Sequence, residues 1–508
     1  MLSLYKWREI VIAAFLFLTS LFPMVTNKAV IANNLSGYET DALLVKIGDI
    51  TYVHYRDEVV VNININATGS WAGLAIKAKV LSQNEDKILI IRKLERLTPD
   101  TLNIVIDTAA IPDGRYFLRL ELIDSTDKTD KRYRIISSEK KEFSINKFPR
   151  STKSARVYIN ENNALVVDGQ LFFPIMSYAV TAGTKAFKEL EEVGFNTVIG
   201  PHTTANNPFI AEQIKEYLYI ASKAKLKVMS TAASYVWGSP PQLSCPTPET
   251  VISKFKDHPS LLGWFTGDEI FANRVSVEQM DKLYKIIRKR DPDHPVGLNL
   301  MKAEVDYFPG VTSVSDIVSF DWYPIPNTSL SSYADLIAQL KRRVASRKPV
   351  WVWLQLSLKG ERARDPSPQE LRCMTWLVIA HGAKGIGYFI YSANISPESK
   401  KALRKIISEV SCLAPVILSS PSGEKVTVQR VKGSGQVDIL FREHEGKGYL
   451  IAVNKSEMSV DVRFMLPEHF VGKEVKVLFE NRNIKQDGHF YDRFVAHDVH
   501  IYEWEARS

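Results

Sequence analysis

Leu261-Leu262-Gly263-Trp264-Phe265-Thr266-Gly267-Asp268-Glu269 is the stretch on which the reading of this chain turns. A short apolar run ends abruptly in glycine and two adjacent carboxylates. A buried strand with this sequence leaves its acids at its C-terminal mouth, where a parallel α/β barrel does its chemistry. The helical pattern that follows, from about Val275 to Arg290, makes the strand part of a β-α unit.

The same rhythm of apolar strand, loop and helix extends on both sides, from about Tyr158 to Pro415. Candidate strands are Phe172–Ile175, Thr197–Ile199, Lys227–Ser230, Leu261–Phe265, Val296–Leu300, Ile317–Phe320, Val350–Leu354 and Gly385–Ile390. Asn207-Pro208, Thr247-Pro248, Ser367-Pro368 and Ser396-Pro397 each put a capping residue before a proline suited to the first helical turn. Eight strands with intervening helices over residues 155–415 have the size of a (β/α)8 barrel. A doubly wound open sheet is the alternative, but no glycine-rich nucleotide loop follows the first strand.

The flanks have a different period. Over residues 36–150 apolar and polar residues alternate, as in Val59–Ile65 and Tyr116–Leu122, with Pro112-Asp113-Gly114 marking a turn. Over residues 420–508 strands return without helices: Lys425–Val431, Val437–Arg442, Tyr449–Val453, Val460–Phe464, Val475–Phe479 and Val499–Trp504. The expected fold is multidomain, a central (β/α)8 TIM barrel between an Ig-like N-terminal β-sandwich and a C-terminal β-sandwich. A chain of 508 residues is too long for one ordinary core, which agrees with this division.

Composition narrows the partners. The net charge of +8 is modest and spread along the chain, so it describes a solvated surface and not a nucleic-acid footprint. Lys6 and Arg8 precede the apolar run Ile10–Phe22, and small residues follow up to Ala32. Residues 1–32 thus have the layout of a secretory signal cleaved after Ala32, which implies a secreted or cell-surface protein. An uncleaved N-terminal anchor is the alternative and the only expected membrane contact, since Lys28 and a long gap separate the run from Ala32. Three widely spaced cysteines, Cys245, Cys373 and Cys412, make neither a disulfide framework nor a zinc site. Ten histidines without close ligand spacing, and a Gly433-Ser434-Gly435 turn lacking any phosphate-loop context, lead us to expect no metal and no cofactor.

The chemistry then falls on carboxylates. Glu269 could simply cap the next helix or pair with Arg274, but its place after the fourth strand of a barrel favours an acid catalyst. Beside Trp264 and Phe265 a carboxylic acid has a raised pKa, as a general acid at neutral pH requires. Asp268 orients Glu269 or binds a hydroxyl. Trp264, Trp322, Tyr323, Trp353, Tyr388 and Tyr391 all fall at or near strand ends. Sugars present apolar C–H faces ringed by hydroxyls, so an oligo- or polysaccharide suits such aromatic platforms. His202, Asn299 and Gln355 are candidate hydroxyl partners, although Asn299 on an apolar strand could equally be a satisfied core amide.

Four stretches carry a family resemblance: Val167–Ile175 at the barrel entry, Glu192–Val198, His258–Trp264 running into Asp268-Glu269, and His381–Ile386 before the eighth strand. In these the central segment resembles (β/α)8 glycoside hydrolases of the large retaining β-glycosidase group, including its β-galactosidase-like and cellulase-like branches. The resemblance implies an enzyme that hydrolyses O-glycosyl bonds, with Glu269 as acid/base; the asparagine that usually precedes it is Asp268 here. It also implies a nucleophilic glutamate after strand seven, where Trp351-Val352-Trp353-Leu354-Gln355 offers an amide instead. An amide cannot form the glycosyl-ester intermediate.

Asp321, framed by aromatics in Phe320-Asp321-Trp322-Tyr323, is the favoured second carboxylate. Glu361 reads as a surface residue, and Glu370 completes a capping box with Ser367. The competing reading is a non-catalytic carbohydrate-binding or scaffolding protein on a barrel that has lost its nucleophile. Stretches near the C-terminus, Phe479–Arg482 and Asp492–Phe494 through Tyr502, resemble the tails of related glycosidases.

Overall fold

The alternation of apolar strand and amphipathic helix closes into a barrel in the computed structural model. It describes residues 44–55, 58–68, 74–85, 87–94, 100–107, 111–112, 114–124, 134–145, 155–178, 183–201, 209–231, 247–301, 314–343, 348–358, 364–392, 395–468 and 474–505. The expected signal segment lies outside these residues.

Eight parallel strands form the closed sheet: β1 (Ile175–Tyr178), β2 (Thr197–Gly200), β3 (Lys227–Ser230), β4 (Leu261–Phe265), β5 (Val296–Met301), β6 (Ile317–Asp321), β7 (Val350–Gln355) and β8 (Gly385–Phe389). β8 pairs back onto β1 through Ile386 and Ile175, which leaves no free edge. Seven helices of the described residues surround it: α1 (Thr184–Val193), α2 (Ile210–Lys223), α3 (Pro248–Phe255), α4 (Val277–Arg290), α5 (Leu330–Arg343), α6 (Pro368–Ala380) and α7 (Pro397–Leu418). Thr247, Ser367 and Ser396 cap α3, α6 and α7 ahead of their prolines, as expected. A further capping box, Ser276 with Gln279, opens α4. The Asn207-Pro208 cap lies outside the described residues; α2 begins at Ile210, behind Phe209.

One strand differs from expectation. Phe172–Ile175 is not the first barrel strand, which starts only at Ile175. Residues up to Phe172 instead form a small antiparallel sheet of Val157–Ile159, Leu165–Val167 and Gln170–Phe172. Asp168 (φ 50°) and Gly169 (φ 79°) make its tight turn. Pro174 has no N–H to offer a ladder, so the chain must restart as a new strand. Val157, Leu165 and Val167 share a core with Met176, Ile199, Met229, Leu262, Ile317, Trp351 and Trp353, so this sheet packs onto the barrel interior.

The strands have two faces. Leu261, Trp264, Val296, Leu298, Leu300, Val318, Phe320, Val352, Leu354 and Tyr388 belong to the apolar layer between barrel and helices. In β4 the alternation slips: Val228 pairs with Leu261 but Met229 with Gly263, a bulge at Leu262. A Cβ on Gly263 would meet the Pro295 carbonyl oxygen at 2.5 Å, so only glycine passes there. On β8, Gly387 leaves room for the Trp353 ring; a Cβ would lie 2.3 Å from it. Gly387→Ala is therefore expected to destabilise the fold by about 1–3 kcal/mol through overpacking, measured by urea unfolding.

Further sheets lie before and after the barrel. Leu44–Tyr55, Glu58–Thr68 and Asp100–Asp107 form one, and Ile88–Leu94, Leu74–Leu81, Gly114–Asp124 and Arg134–Ile145 another. Ile76, Ala78 and Val80 alternate into the core, as do Leu118, Leu120 and Leu122. After the barrel, Thr427–Gly433, Val460–Met465 and His489–Phe494 form a three-stranded sheet. Val437–His444, Lys447–Asn454, Val499–Glu505, Glu474–Val477 and Arg482–Lys485 form a five-stranded one. The two share a core around Phe464, Phe490, Tyr502 and Trp504. Sequence pattern alone missed the strands Arg482–Lys485 and His489–Phe494, which are short and largely polar. Arg372 of α6 donates to the Val499 carbonyl (2.7 Å), and His381 meets Asp438 (2.8 Å), so these sheets are anchored to the barrel. Among the described residues no helix is long and apolar enough to cross a membrane.

Candidate active site

β4 carries the chain to the C-terminal mouth, and its pairing with β5 continues past Phe265. Thr266 N–H donates to the Gly297 carbonyl (2.8 Å), and Asn299 N–H donates to the Gly267 carbonyl (2.9 Å). Glu269 then takes a left-handed φ of 44°, uncommon for a residue with a side chain and typical of functional turns. The turn is tied down locally. Asn273 donates its N–H to the Glu269 carbonyl (2.9 Å) and its Nδ2 to the Asp268 carbonyl (2.8 Å). In extended chain, consecutive side chains point to opposite faces. Here Asp268 and Glu269 both act electrostatically on Tyr178, Asp321 and Tyr323, so the turn brings them to one place.

Asn299 on β5 holds that place together. Its Nδ2 donates to Asp268 Oδ1 (3.0 Å) and to Asp321 Oδ1 (3.1 Å), while its Oδ1 accepts from Ser319 Oγ (2.8 Å). The two carboxyl acceptors draw the NH2 end of the amide toward the acids, and Ser319, whose Oγ also reaches the Leu298 carbonyl (3.0 Å), lies at its other end. Tyr178, at the end of β1, hydrogen-bonds Asp268, and Tyr323 hydrogen-bonds Asp321. Asp321 is only 8% exposed. Burial, then repulsion from Glu269 and Asp268, pushes its carboxyl up to about 8 against the bonds from Asn299 and Tyr323. Burial likewise raises Asp268, with the Asn299 bond opposing. The raised carboxyl is thus that of Asp321, with Asp268 shifted the same way.

Aromatic rings line one side. Tyr178 stands edge-on to Trp353 (5.9 Å between centroids) and to Phe389 (5.5 Å), and Tyr323 stacks on Phe389 (5.4 Å, 19°). Tyr178 and Phe389 were not singled out in the sequence. Misplacing the first strand hid Tyr178, which is the last residue of β1 once that strand is set correctly.

The structure thus gathers Asp268, Glu269, Asn299, Asp321, Tyr323 and Trp353 and sends other expected residues elsewhere. Trp264 is no sugar platform. It is fully buried behind the barrel, and its Nε1 donates to Asp291 Oδ2 (2.8 Å) below α4, because the bulge in β4 turns it outward. Trp264→Phe is accordingly expected to cost about 1–3 kcal/mol of stability in urea unfolding, by leaving a buried acceptor short of a donor. Tyr388, also fully buried, shares a hydrogen bond with Thr375 of α6 (3.0 Å), on the outward face of β8. Trp322 packs against Tyr333 of α5 (5.6 Å). Tyr391 donates to Glu189 of α1 (2.8 Å) and packs on Phe195, away from the acids. His202 and Glu361 lie outside the described residues.

Gln355 is not a hydroxyl partner either. It is fully buried: Nε2 donates to the carbonyls of Ile325 (2.9 Å) and Arg364 (3.2 Å), and Oε1 accepts from Ile325 N–H (2.9 Å). The amide pins the loop after β6 and the segment before α6 to β7. Glu370 caps α6 as expected and accepts two bonds from Arg364 (2.7 Å each), which holds its carboxyl down at about 2. Among the described residues no group of three or more His, Cys, Asp or Glu is placed to hold a metal ion.

Residues 271–411 match the family model of Glyco_hydro_42, described as β-galactosidase. No curated protein matches the chain. Among solved structures, the chain is similar to the β-glucuronidase of Ruminococcus gnavus (11% identity, 72% of this chain and 68% of that one, TM-score 0.37). It is also similar to the α-amylase of Geobacillus thermoleovorans in complex with acarbose (12%, 64% and 92%, 0.47) and to a β-glucuronidase of Parabacteroides merdae (10%, 90% and 75%, 0.35). Identities and scores this low fix neither substrate nor mechanism. The family match covers β5 to β8 and most of α7, and over that segment, which includes His381–Ile386 of the resembling stretches, the chain is glycoside hydrolase-like.

Proposed function

We propose that the protein hydrolyses a glycosidic bond at the mouth of the barrel, with Glu269 as general acid and then general base. The observation that carries this reading is the carboxyl cluster itself. Glu269 follows the fourth strand in a constrained turn, and burial, then repulsion from Glu269 and Asp268, raises the carboxyl of Asp321 to about 8. A poor aglycone leaving group needs a proton, and a carboxyl held at the barrel mouth among other acids is the kind of group that supplies one. Asn299 and Tyr178 hold Asp268 beside the acid, and Asp321 is the second carboxyl within the cluster. Tyr178, Trp353, Tyr323 and Phe389 offer the apolar faces that a sugar ring stacks on.

Residues 36–150 and 420–508 are proposed as β-sandwich domains flanking the barrel, and residues 1–32 as an export signal. A carbohydrate-binding protein without turnover is the second reading, favoured by one observation: Gln355 occupies the usual nucleophile position with its amide fully engaged. Release of nitrophenol from a panel of aryl α- and β-glycosides separates the two readings. Turnover by the wild type that collapses in Glu269→Gln supports the enzyme. Sugar binding by calorimetry with no turnover of any member supports the binding protein.

A further inference from the structure

If Glu269 delivers the proton, some group must still stabilise the anomeric carbon as the leaving oxygen departs. Among the described residues β7 supplies none: its last residue, Gln355, is buried and committed to backbone groups. Asp321 is a poor nucleophile, being 8% exposed and held between Asn299 and Tyr323. The remaining described carboxylate of the cluster is Asp268, the acid's neighbour in sequence, brought to the same place by the left-handed turn at Glu269. Asp268 has two distinct borders. One is polar, the Nδ2 of Asn299 at 3.0 Å. The other is aromatic: Tyr178, which hydrogen-bonds it, stands edge-on to Trp353 and Phe389, with Tyr323 stacked beyond. A fixed acceptor at the edge of an aromatic cluster suits a ligand group that ends in a methyl and carries an N–H.

Resting on the reading of Glu269 as the acid, we infer that the substrate is a 1,2-trans glycoside of a 2-acetamido-2-deoxy sugar, whose own acetamide does the work that a carboxylate in place of Gln355 would do. The acetamide carbonyl oxygen attacks the anomeric carbon while the bond from that carbon to the leaving oxygen breaks, and the proton of Glu269 passes to the leaving oxygen. The product is a bicyclic oxazolinium, whose N–H donates to the Asp268 carboxylate. That carboxylate balances the positive charge. Glu269, now a carboxylate, takes a proton from water. The water oxygen bonds to the anomeric carbon, the bond to the oxazolinium oxygen breaks, and the acetamide is restored with retention of configuration. Only a leaving group trans to the acetamide permits this attack, which selects the β anomer in the gluco and galacto series. The methyl lies against the aromatic cluster and Asp268 orients the amide, so the ring oxygen and leaving group are presented to Glu269.

The test uses the full chain with nitrophenyl 2-acetamido-2-deoxy-β-glucoside and -galactoside beside their 2-hydroxy counterparts. The acetamido substrates are expected to turn over at least about 100-fold faster in kcat/KM. Successive fluorination of the acetyl methyl weakens the carbonyl nucleophile, so the trifluoroacetamido substrate is expected to be slower by about 10^3-fold. Asp268→Asn is expected to slow the acetamido substrate by about 10^2–10^3-fold. A sugar-fused methylthiazoline, which mimics the bicyclic intermediate, is expected to bind the wild type at least about 100-fold tighter than the parent acetamido sugar. That measurement stands even if the chosen aglycones fit poorly. Equal rates on 2-hydroxy substrates, or no dependence on fluorination, would overturn this inference and leave Glu269 as the acid. No turnover on any glycoside, together with thiazoline bound no tighter than the parent sugar, would overturn both.

Discussion

Glu269→Gln is expected to lower kcat by about 10^2–10^4-fold while sugar affinity stays within about threefold. The amide keeps the size and hydrogen-bonding reach of the acid but carries no transferable proton. An interaction lost only in the transition state lowers kcat and kcat/KM together and leaves binding alone. The backbone of the turn is independent of the carboxyl, since Asn273 holds it through the Glu269 and Asp268 carbonyls. The substitution therefore leaves the constellation standing. Azide offers a second readout: an external anion rescues a missing base in the step that follows glycosyl cleavage, so rescue on substrates with good leaving groups is expected. Retained turnover in the variant would remove Glu269 from the chemistry. A loss confined to KM would make it a binding residue.

Much of the barrel was legible because its signals are local. Strand-length apolar runs, and the Ser or Thr before proline at three helix starts, each depend on a few adjacent residues. The acid was legible for the same reason: Gly267-Asp268-Glu269 breaks off an apolar run at the end where barrels work. What stayed hidden depends on register. The bulge in β4 turns Trp264 away from the mouth, and nothing in Leu261–Phe265 announces it, because the evidence is the Pro295 carbonyl pressing on Gly263. Tyr388 faces outward because Gly387 and Gly385 make room for Trp353 and Trp351 on β7, a relation between two strands. The role of Gln355 needed the loop after β6 and the segment before α6 to be placed, since its partners are backbone atoms of Ile325 and Arg364. Asn299 had two readings in the sequence. Bridging two acids while Ser319 holds its oxygen, it is a satisfied amide that also organises the site.

Asp321→Asn is expected to stabilise the fold by about 2–4 kcal/mol near pH 8, with little effect at about pH 4, and to impair any turnover. The sign follows from the direction of the shift. In the unfolded chain an aspartate ionises near its ordinary value of 3.8, but in the folded protein this carboxyl holds its proton to about 8. Below about pH 4 both states are protonated and nothing is lost. Between those values the unfolded chain releases the proton and the folded one does not, so folding loses ground steadily as pH rises. Above about pH 8 the folded carboxyl ionises as well and the penalty levels off. A full shift of this size corresponds to about 6 kcal/mol, and coupling to the neighbouring acids reduces what a single substitution recovers. Asparagine at 321 keeps an oxygen to accept from Asn299 and Tyr323 and removes the charge that Asp268 and Glu269 repel. Thermal unfolding of both proteins from about pH 5 to pH 8 measures the effect: the difference in Tm should widen as pH rises. A constant difference, or a less stable variant at pH 8, would mean that burial is not straining this carboxyl. A site that is less stable for being charged is what catalysis by buried acids requires, and the gain on neutralising Asp321 measures how much stability the cluster forgoes.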